Sequence, residues 1–182
     1  MGMKIEASPE FRRHLKDVIE AGLNVNEYSQ FWQDYYSEKL GPHKIWVVAP
    51  PSDNYDCEGF VLGTRSVVRH KIPLWFPEVQ DRKPGDTVFY HQPDKGQKGY
   101  EPFPHVGLYI GNFDGLNIVC SKGGKHGAIF THPGDYVPYP EADTKTFYRI
   151  TEEALTEKLR KNGYPDRVSV FPWKNVIKLH LQ

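Results

Sequence analysis

The chain has 182 residues, enough for one domain with a proper core, with 38% hydrophobic residues and 14% aromatic ones, so large rings must supply much of the buried area. Lys+Arg and Asp+Glu balance at 23 each; no global field draws the protein to nucleic acid or an anionic membrane, and a charged substrate must be recognised locally. Two cysteines, Cys57 and Cys120, are no disulfide framework, and free thiols are expected.

In chain order, Ser8 as N-cap, Pro9 at the first helical position and Phe11, Leu15, Val18 and Ile19 on one face predict a helix from Ser8 to Ala21, ended by Gly22. Asn26 to Leu40 reads as a second helix, with Tyr28, Phe31, Trp32, Tyr35 and Tyr36 as aromatic anchors and Gly41-Pro42 as its stop. A turn-rich loop, Pro50 to Asn54, feeds Cys57, which opens a predicted helix running to about Val68. Lys83-Pro84-Gly85-Asp86 is a turn before a strand over Thr87 to Tyr90. The polar stretch from His91 to Pro104 is longer than a hairpin connection, and loops of that length are often functional. Strands at Val106 to Ile110, Leu116 to Ser121 and Ala128 to Thr131, joined by Gly-rich turns, imply an antiparallel meander. A strand from Thr146 to Ile150, a Thr151-capped helix to Lys161, and edge strands at Arg167 to Val170 and Val176 to Leu181 complete a single α+β domain.

Cys57 and His105 carry the chemistry. A thiol with pKa near 8.5 is mostly protonated at neutral pH, and a helix N-terminus with its orphan N–H groups favours the thiolate. An imidazole within hydrogen-bond reach takes the proton. On a strand that begins at His105, that residue shares a face with Gly107 and Tyr109, while Val106, Leu108 and Ile110 occupy the other. Backbone N–H groups at the start of the cysteine helix are candidates for an oxyanion hole. His70, His91, His126 and His132 lack a compact metal-ligand spacing, so no metal and no cofactor is expected. Lys122-Gly123-Gly124-Lys125 lacks the full phosphate-loop pattern and reads as a hairpin turn with solvated charges, and the basic run Lys95 to Lys98 as a solvated loop.

Three blocks, in order, resemble the NlpC/P60 family of papain-like cysteine hydrolases. Asp56-Cys57-Glu58-Gly59-Phe60-Val61 is similar to the family's Asp-Cys-Ser-Gly-Phe-Val nucleophile block, with Glu58 in place of Ser. Lys83 to Tyr90 is similar to its Pro-Gly-Asp-Leu-Val-Phe-Phe strand, and His105-Val106-Gly107-Leu108-Tyr109-Ile110-Gly111 to its His-Val-Gly-Ile-Tyr-Ile-Gly base strand. The resemblance covers roughly Gly41 to Phe130. It implies an antiparallel sheet packed on the Cys57 helix and amide hydrolysis through an acyl-enzyme, typically in peptidoglycan stem peptides. It also implies a catalytic core at 41–130 between a helical extension at 1–40 and a C-terminal elaboration at 131–182.

The segment before the nucleophile, Lys44 to Val48, keeps the family's Trp but lacks its Tyr and Gly pair; Trp46, Tyr55, Asp56 and Glu58 are the candidates for substrate binding, with an aromatic of the second helix as a substitute for the Tyr. The family's third catalytic position falls at Cys120 or Ser121. A thiol orients an imidazole poorly, and Ser121 accepts from the imidazole N–H only if the register slips by one residue, which turns it to the opposite face; a backbone carbonyl and His126 are further candidates. Alternative expectations within the same superfamily are an acyltransferase or deamidase acting on lipid or protein, and a catalytically silent binding module. The N-terminus lacks the apolar run of a signal peptide and no segment reads as a membrane span, so cytoplasmic turnover of wall fragments, or a toxin exported by a dedicated secretion system and met by an immunity or inhibitor protein, is expected.

Overall fold

The computed structural model describes residues 2–21, 30–51, 56–63, 69–94 and 102–164, less the side chain of Trp32. Tyr28, Tyr55, the Lys95 to Lys98 run and the two expected edge strands after residue 166 lie outside them. Among the described residues the fold is mixed α+β, built on a seven-stranded antiparallel sheet. Its strands are β1 (Met3–Lys4), β2 (Trp46–Ala49), β3 (Thr87–His91), β4 (His105–Phe113), β5 (Leu116–Lys122), β6 (Ile129–Pro133) and β7 (Thr144–Tyr148). They lie in the order β1-β7-β3-β4-β5-β6-β2. The meander β3 to β6 matches the turn signals in the sequence. The sheet's described edges are β1 and β2, two short segments that carry no strong alternation. It also runs through all three expected parts of the chain: β7 lies between β1 and β3, so the residues after Phe130 help build the sheet.

The helices are α1 (Pro9–Glu20), α2 (Gln30–Leu40), α3 (Cys57–Leu62), α4 (Ile72–Trp75) and α5 (Glu152–Lys161). Ser8 caps α1 by accepting from the Phe11 N–H at 3.2 Å, and Thr151 caps α5 through the Ala154 N–H at 3.2 Å, each satisfying one of the orphan donors of a first turn. No helix among the described residues is long and apolar enough to cross a membrane.

The pleat divides the sheet into two unlike faces, because directly paired residues point the same way. On one face Phe89, Val106, Leu108, Ile110, Ile118 and Cys120 pack with Phe60, Val61 and Leu62 of α3 and Leu155 and Leu159 of α5. On the other, Val88, Tyr90, Tyr109, Val119 and Phe147 meet Ile5, Val137 and Ala142, while Leu15, Val18 and Ile19 of α1 pack on Phe130. That second face also buries His105, Ser121, His132 and Lys145. Residues 134–142 run over it, held by Arg12 of α1: this buried guanidinium donates to the carbonyls of Ala7 at 3.2 Å, Pro140 at 3.4 Å and Tyr139.

Candidate functional site

Cys57 is the first residue of α3, and the helix begins there because Asp56 caps it, accepting the Gly59 N–H at 2.8 Å. Phe60, Val61 and Leu62, each at most 2% exposed, anchor the helix on β4 and β5. The helix stops after six residues rather than continuing to Val68. Gly63 takes a left-handed conformation, φ 62°, and its N–H closes on the Gly59 carbonyl, a C-terminal signal stronger than the apolar residues beyond it. The anchoring brings the Cys57 sulphur to the backbone N–H of Val106, which donates to it. Cys57 therefore lies beside the start of β4, one residue from His105.

The thiol is only 4% exposed. Burial pushes its pKa up to about 11, the Val106 N–H and the Arg69 guanidinium opposing, Asp56 and Glu58 reinforcing. His105 is wholly buried, its ring stacked on Tyr139 at 4.3 Å and 18° and tilted against Tyr90 at 5.7 Å and 31°. Neither ring nitrogen makes a hydrogen bond to Cys57 or to any other group among the described residues. Burial holds the imidazole well below its ordinary pKa, and the neighbouring His132 and Arg69 add to the shift. Thiol and imidazole are thus both neutral in this closed arrangement. Catalytic hydrogen bonds are often long or open before substrate binds.

The β4–β5 register decides which residue accompanies His105. An irregularity between Tyr109 and Gly111 sets Ser121 opposite Gly107 and Cys120 opposite Leu108. Ser121 consequently shares the His105 face, and it is this one-residue shift of register that puts it there. Gly107 makes the approach feasible: a Cβ there would lie 2.6 Å from Ser121 Oγ and 2.5 Å from Val119 Cγ1. Cys120 points the other way, into the core beneath α3, and burial raises its thiol to about 12. As the orienting residue of a catalytic imidazole, Cys120 is corrected: the pleat puts it on the wrong face.

His132 is the residue that sequence reasoning passed over. It lies on β6, paired with Val119, and reaches diagonally to Ser121, with Nε2 2.9 Å from Ser121 Oγ and Nδ1 2.7 Å from the Pro133 carbonyl oxygen. Burial lowers its pKa to about 4, Lys145 adding to the shift while Pro133 and Asp135 oppose it. Weighing His132 only as a metal ligand hid it; the alternation of Phe130 and His132 along a strand was the available signal.

The expected substrate-binding positions disperse. Asp56 is occupied as the helix cap. Glu58 is 2% exposed and faces Arg69, whose Nε lies 3.8 Å from its Oε2. Trp46, half exposed on β2, lines a cavity of about 360 Å³ with Ile110, Phe113, Leu116 and Thr131. Ile110 is four residues along β4 from Val106, roughly 13 Å at the rise of a strand, so Trp46 stands away from the thiol. Tyr55 lies outside the described residues. The aromatics that meet His105 are Tyr90, inside the stretch that resembles the family, and Tyr139, from beyond it.

Lys122 is corrected too. It is buried, and its ammonium donates to the carbonyls of Gly124 at 3.0 Å and of Lys125 and Gly127 at 2.9 Å, bracing the turn instead of facing solvent. Among the described residues no group of three or more His, Cys, Asp or Glu is placed to hold a metal ion. No protein-family model, no curated protein and no solved structure matches the chain.

Proposed function

We propose that the protein is a papain-like cysteine hydrolase of NlpC/P60 type that cleaves an amide bond, with peptidoglycan stem peptides as its substrate class. One placement supports this above all: the sulphur of Cys57, at the start of a helix, lies on the N–H of the residue following His105. Beside it stands the similarity of three sequence blocks, which a scaffold without chemistry has no physical reason to carry.

In the proposed reaction His105 takes the Cys57 proton and the sulphur attacks the amide carbonyl carbon. The Cys57 N–H, at the first position of α3 and without an intrahelical acceptor, is the candidate donor to the developing oxyanion, since the Gly59 N–H is held by the Asp56 cap and the Val106 N–H by the sulphur. The His105 imidazolium then gives its proton to the leaving amine as the C–N bond breaks. Water, deprotonated by the same imidazole, releases the acid and regenerates the thiol. Substrate must displace Tyr139 from the His105 ring or enter beside it, because neither reacting group is accessible in the closed arrangement.

The test is incubation of the protein and its Cys57→Ala variant with sacculi and soluble muropeptides, with products read by mass spectrometry. New fragments from the parent alone are expected, and their masses identify the bond. Unchanged muropeptides with both proteins would remove the wall-hydrolase reading. The burial of both groups favours a second reading, acyl transfer to an acceptor other than water, since a shut site suppresses hydrolysis. The same spectra distinguish it, by acyl-acceptor adducts in place of free acids.

A further inference from the structure

We infer that Ser121 and His132 form a two-residue relay whose fixed polarity makes the Ser121 oxygen an acceptor for the His105 imidazolium, with His132 acting as a positioning residue from two strands away. This rests on the Cys57–His105 reading and assigns the orienting role for which Cys120 and Ser121 were the sequence candidates.

The polarity follows from which groups can donate. The Pro133 carbonyl can only accept, so at 2.7 Å the Nδ1 of His132 must carry the proton. The imidazole is neutral over the working pH range because burial opposes its charge, so its Nε2 is a lone-pair acceptor. The Ser121 hydroxyl, 2.9 Å away, must therefore donate to it. Ser121 has a single proton, now committed, and its oxygen offers only lone pairs to its remaining neighbours.

Those neighbours lie on the His105 side. Ser121 is paired with Gly107, and His105 is two residues along on the same face, a diagonal separation that a ring on a strand spans. The missing Cβ of Gly107 leaves the space between them open. All three side chains are fully buried, so water does not compete for the geometry. In the resting protein the His105 nitrogens are unpartnered, and a buried imidazole left so is poised to make a bond when its charge changes.

When His105 takes the thiol proton both of its nitrogens become donors. One faces the sulphur and substrate; the other donates to Ser121 Oγ while the Ser121 hydroxyl stays bound to His132. No proton moves along the relay. Its effect is to hold the ring and to lower the cost of the imidazolium in a site where burial, His132 and Arg69 all oppose it. A serine alone lacks this direction, since a free hydroxyl rotates to donate or accept as its surroundings dictate.

The experiment compares Ser121→Ala, His132→Phe and His132→Gln with the parent. Phe keeps the bulk of the ring and removes the acceptor. Gln supplies an amide N–H for Pro133 and a carbonyl oxygen for Ser121, preserving the polarity. Three readouts are taken: thermal melts, the pH profile of Cys57 alkylation by iodoacetamide, and turnover of muropeptides. The groups facing the two histidines are Tyr90, Tyr139, Arg69, Lys145 and Asp135, and all remain in every variant.

We expect Ser121→Ala and His132→Phe each to lower kcat about tenfold with KM unchanged, and to shift the acid limb of the alkylation profile in the same direction. His132→Gln restores both to within about threefold of the parent. Loss with His132→Phe but none with Ser121→Ala overturns the relay, as does a His132→Gln variant that folds yet behaves like His132→Phe. Alkylation reads the relay without any substrate. An inert muropeptide panel with the expected variant-dependent profile therefore sinks the wall-hydrolase reading alone, whereas superimposable profiles for all variants sink the relay. Ser121→Ala removes one atom, and it carries the test if His132→Phe fails to melt cooperatively.

Discussion

The two faces of the central sheet are both buried, yet they are built from different materials. Under α3 and α5 the sheet presents Phe89, Val106, Leu108, Ile110, Ile118 and Cys120, an apolar surface that needs only volume and shape. Under α1 and residues 134–142 it presents Tyr90, His105, Ser121, His132 and Lys145, each polar and each at most 5% exposed. Burying such groups costs free energy unless they are paired, and they are paired in chains: Tyr90 with the Gly134 carbonyl at 3.0 Å, Ser121 with His132, Lys145 with Asp135. His105, which makes no hydrogen bond, is the exception. A fold maintained only for stability has no use for an unsatisfied imidazole between two tyrosines.

The sharpest way to break this contrast is to remove the two buried thiols in turn, one at the boundary with the polar face and one in the apolar core. Cys57→Ala is expected to abolish turnover, a loss of at least about 10³ for a nucleophile. Cys120→Ala should leave the rate within about twofold and instead lower stability by roughly 1 kcal/mol, read by urea melts. Because both thiols have raised pKa values, about 11 for Cys57 and about 12 for Cys120, iodoacetamide reacts slowly with either at pH 7. Cys57, next to Asp56 at the exposed start of α3, should nonetheless label first. A Cys120 variant that loses activity while folding normally would place the reacting thiol on the other side of the sheet.

A smaller effect separates packing from chemistry. Leu108→Ala deletes apolar volume opposite Cys120 and should cost about 2–5 kcal/mol, leaving the pH profile of Cys57 alkylation unchanged in conditions where the variant is folded. Gly107→Ala, next door on the polar face, adds one methyl group where 2.5 Å separates it from Val119. Overpacking predicts a milder loss, about 1–3 kcal/mol, but with Ser121 displaced and the alkylation profile shifted. Equal behaviour of the two variants in the alkylation assay would erase the distinction between the faces.

Much of this architecture is legible in the residues themselves. Ser8-Pro9, Thr151 and the turn glycines fix helix starts and hairpins by local rules, and the structure places α1, α5 and the β3 to β6 meander within a few residues of where those rules put them. The α3 boundary is missed because Gly63 outweighs the apolar residues after it. The short strands β1 and β2 are missed because two to four residues carry no measurable period, and long-range pairing alone makes them strands. At the candidate site Cys57 and His105 are visible through their flanking residues. Ser121 over Cys120 is not decidable from sequence, since one irregularity at Gly111 exchanges the two faces. His132 and Tyr139 reach His105 only through the folding of β6 and residues 134–142 across the sheet, a juxtaposition that no local pattern encodes.

The gentlest test of the polar face is acid. His105 and His132 are held below the ordinary histidine pKa of about 6.5, the second at about 4, because burial disfavours their charged forms. Above pH 6.5 both are neutral, folded or unfolded, and contribute no pH dependence. Below it the unfolded chain binds protons that the folded one refuses, so stability falls as pH falls, by about 1.4 kcal/mol per pH unit for each histidine. For His132 the decline should level off near pH 4, where the folded protein protonates as well. Urea melts between pH 7 and pH 4 read the slope directly, and His132→Gln should remove the share that His132 contributes, since an amide does not titrate there. On the apolar face His91, edge-on to Phe103, is also held below its ordinary pKa by burial and adds to the slope; Leu108 does not titrate, so Leu108→Ala should move the whole curve down without changing its slope. A parent slope near zero would mean that the two histidines are hydrated in solution, and that the polar face is not the closed, dry surface from which their neutrality follows.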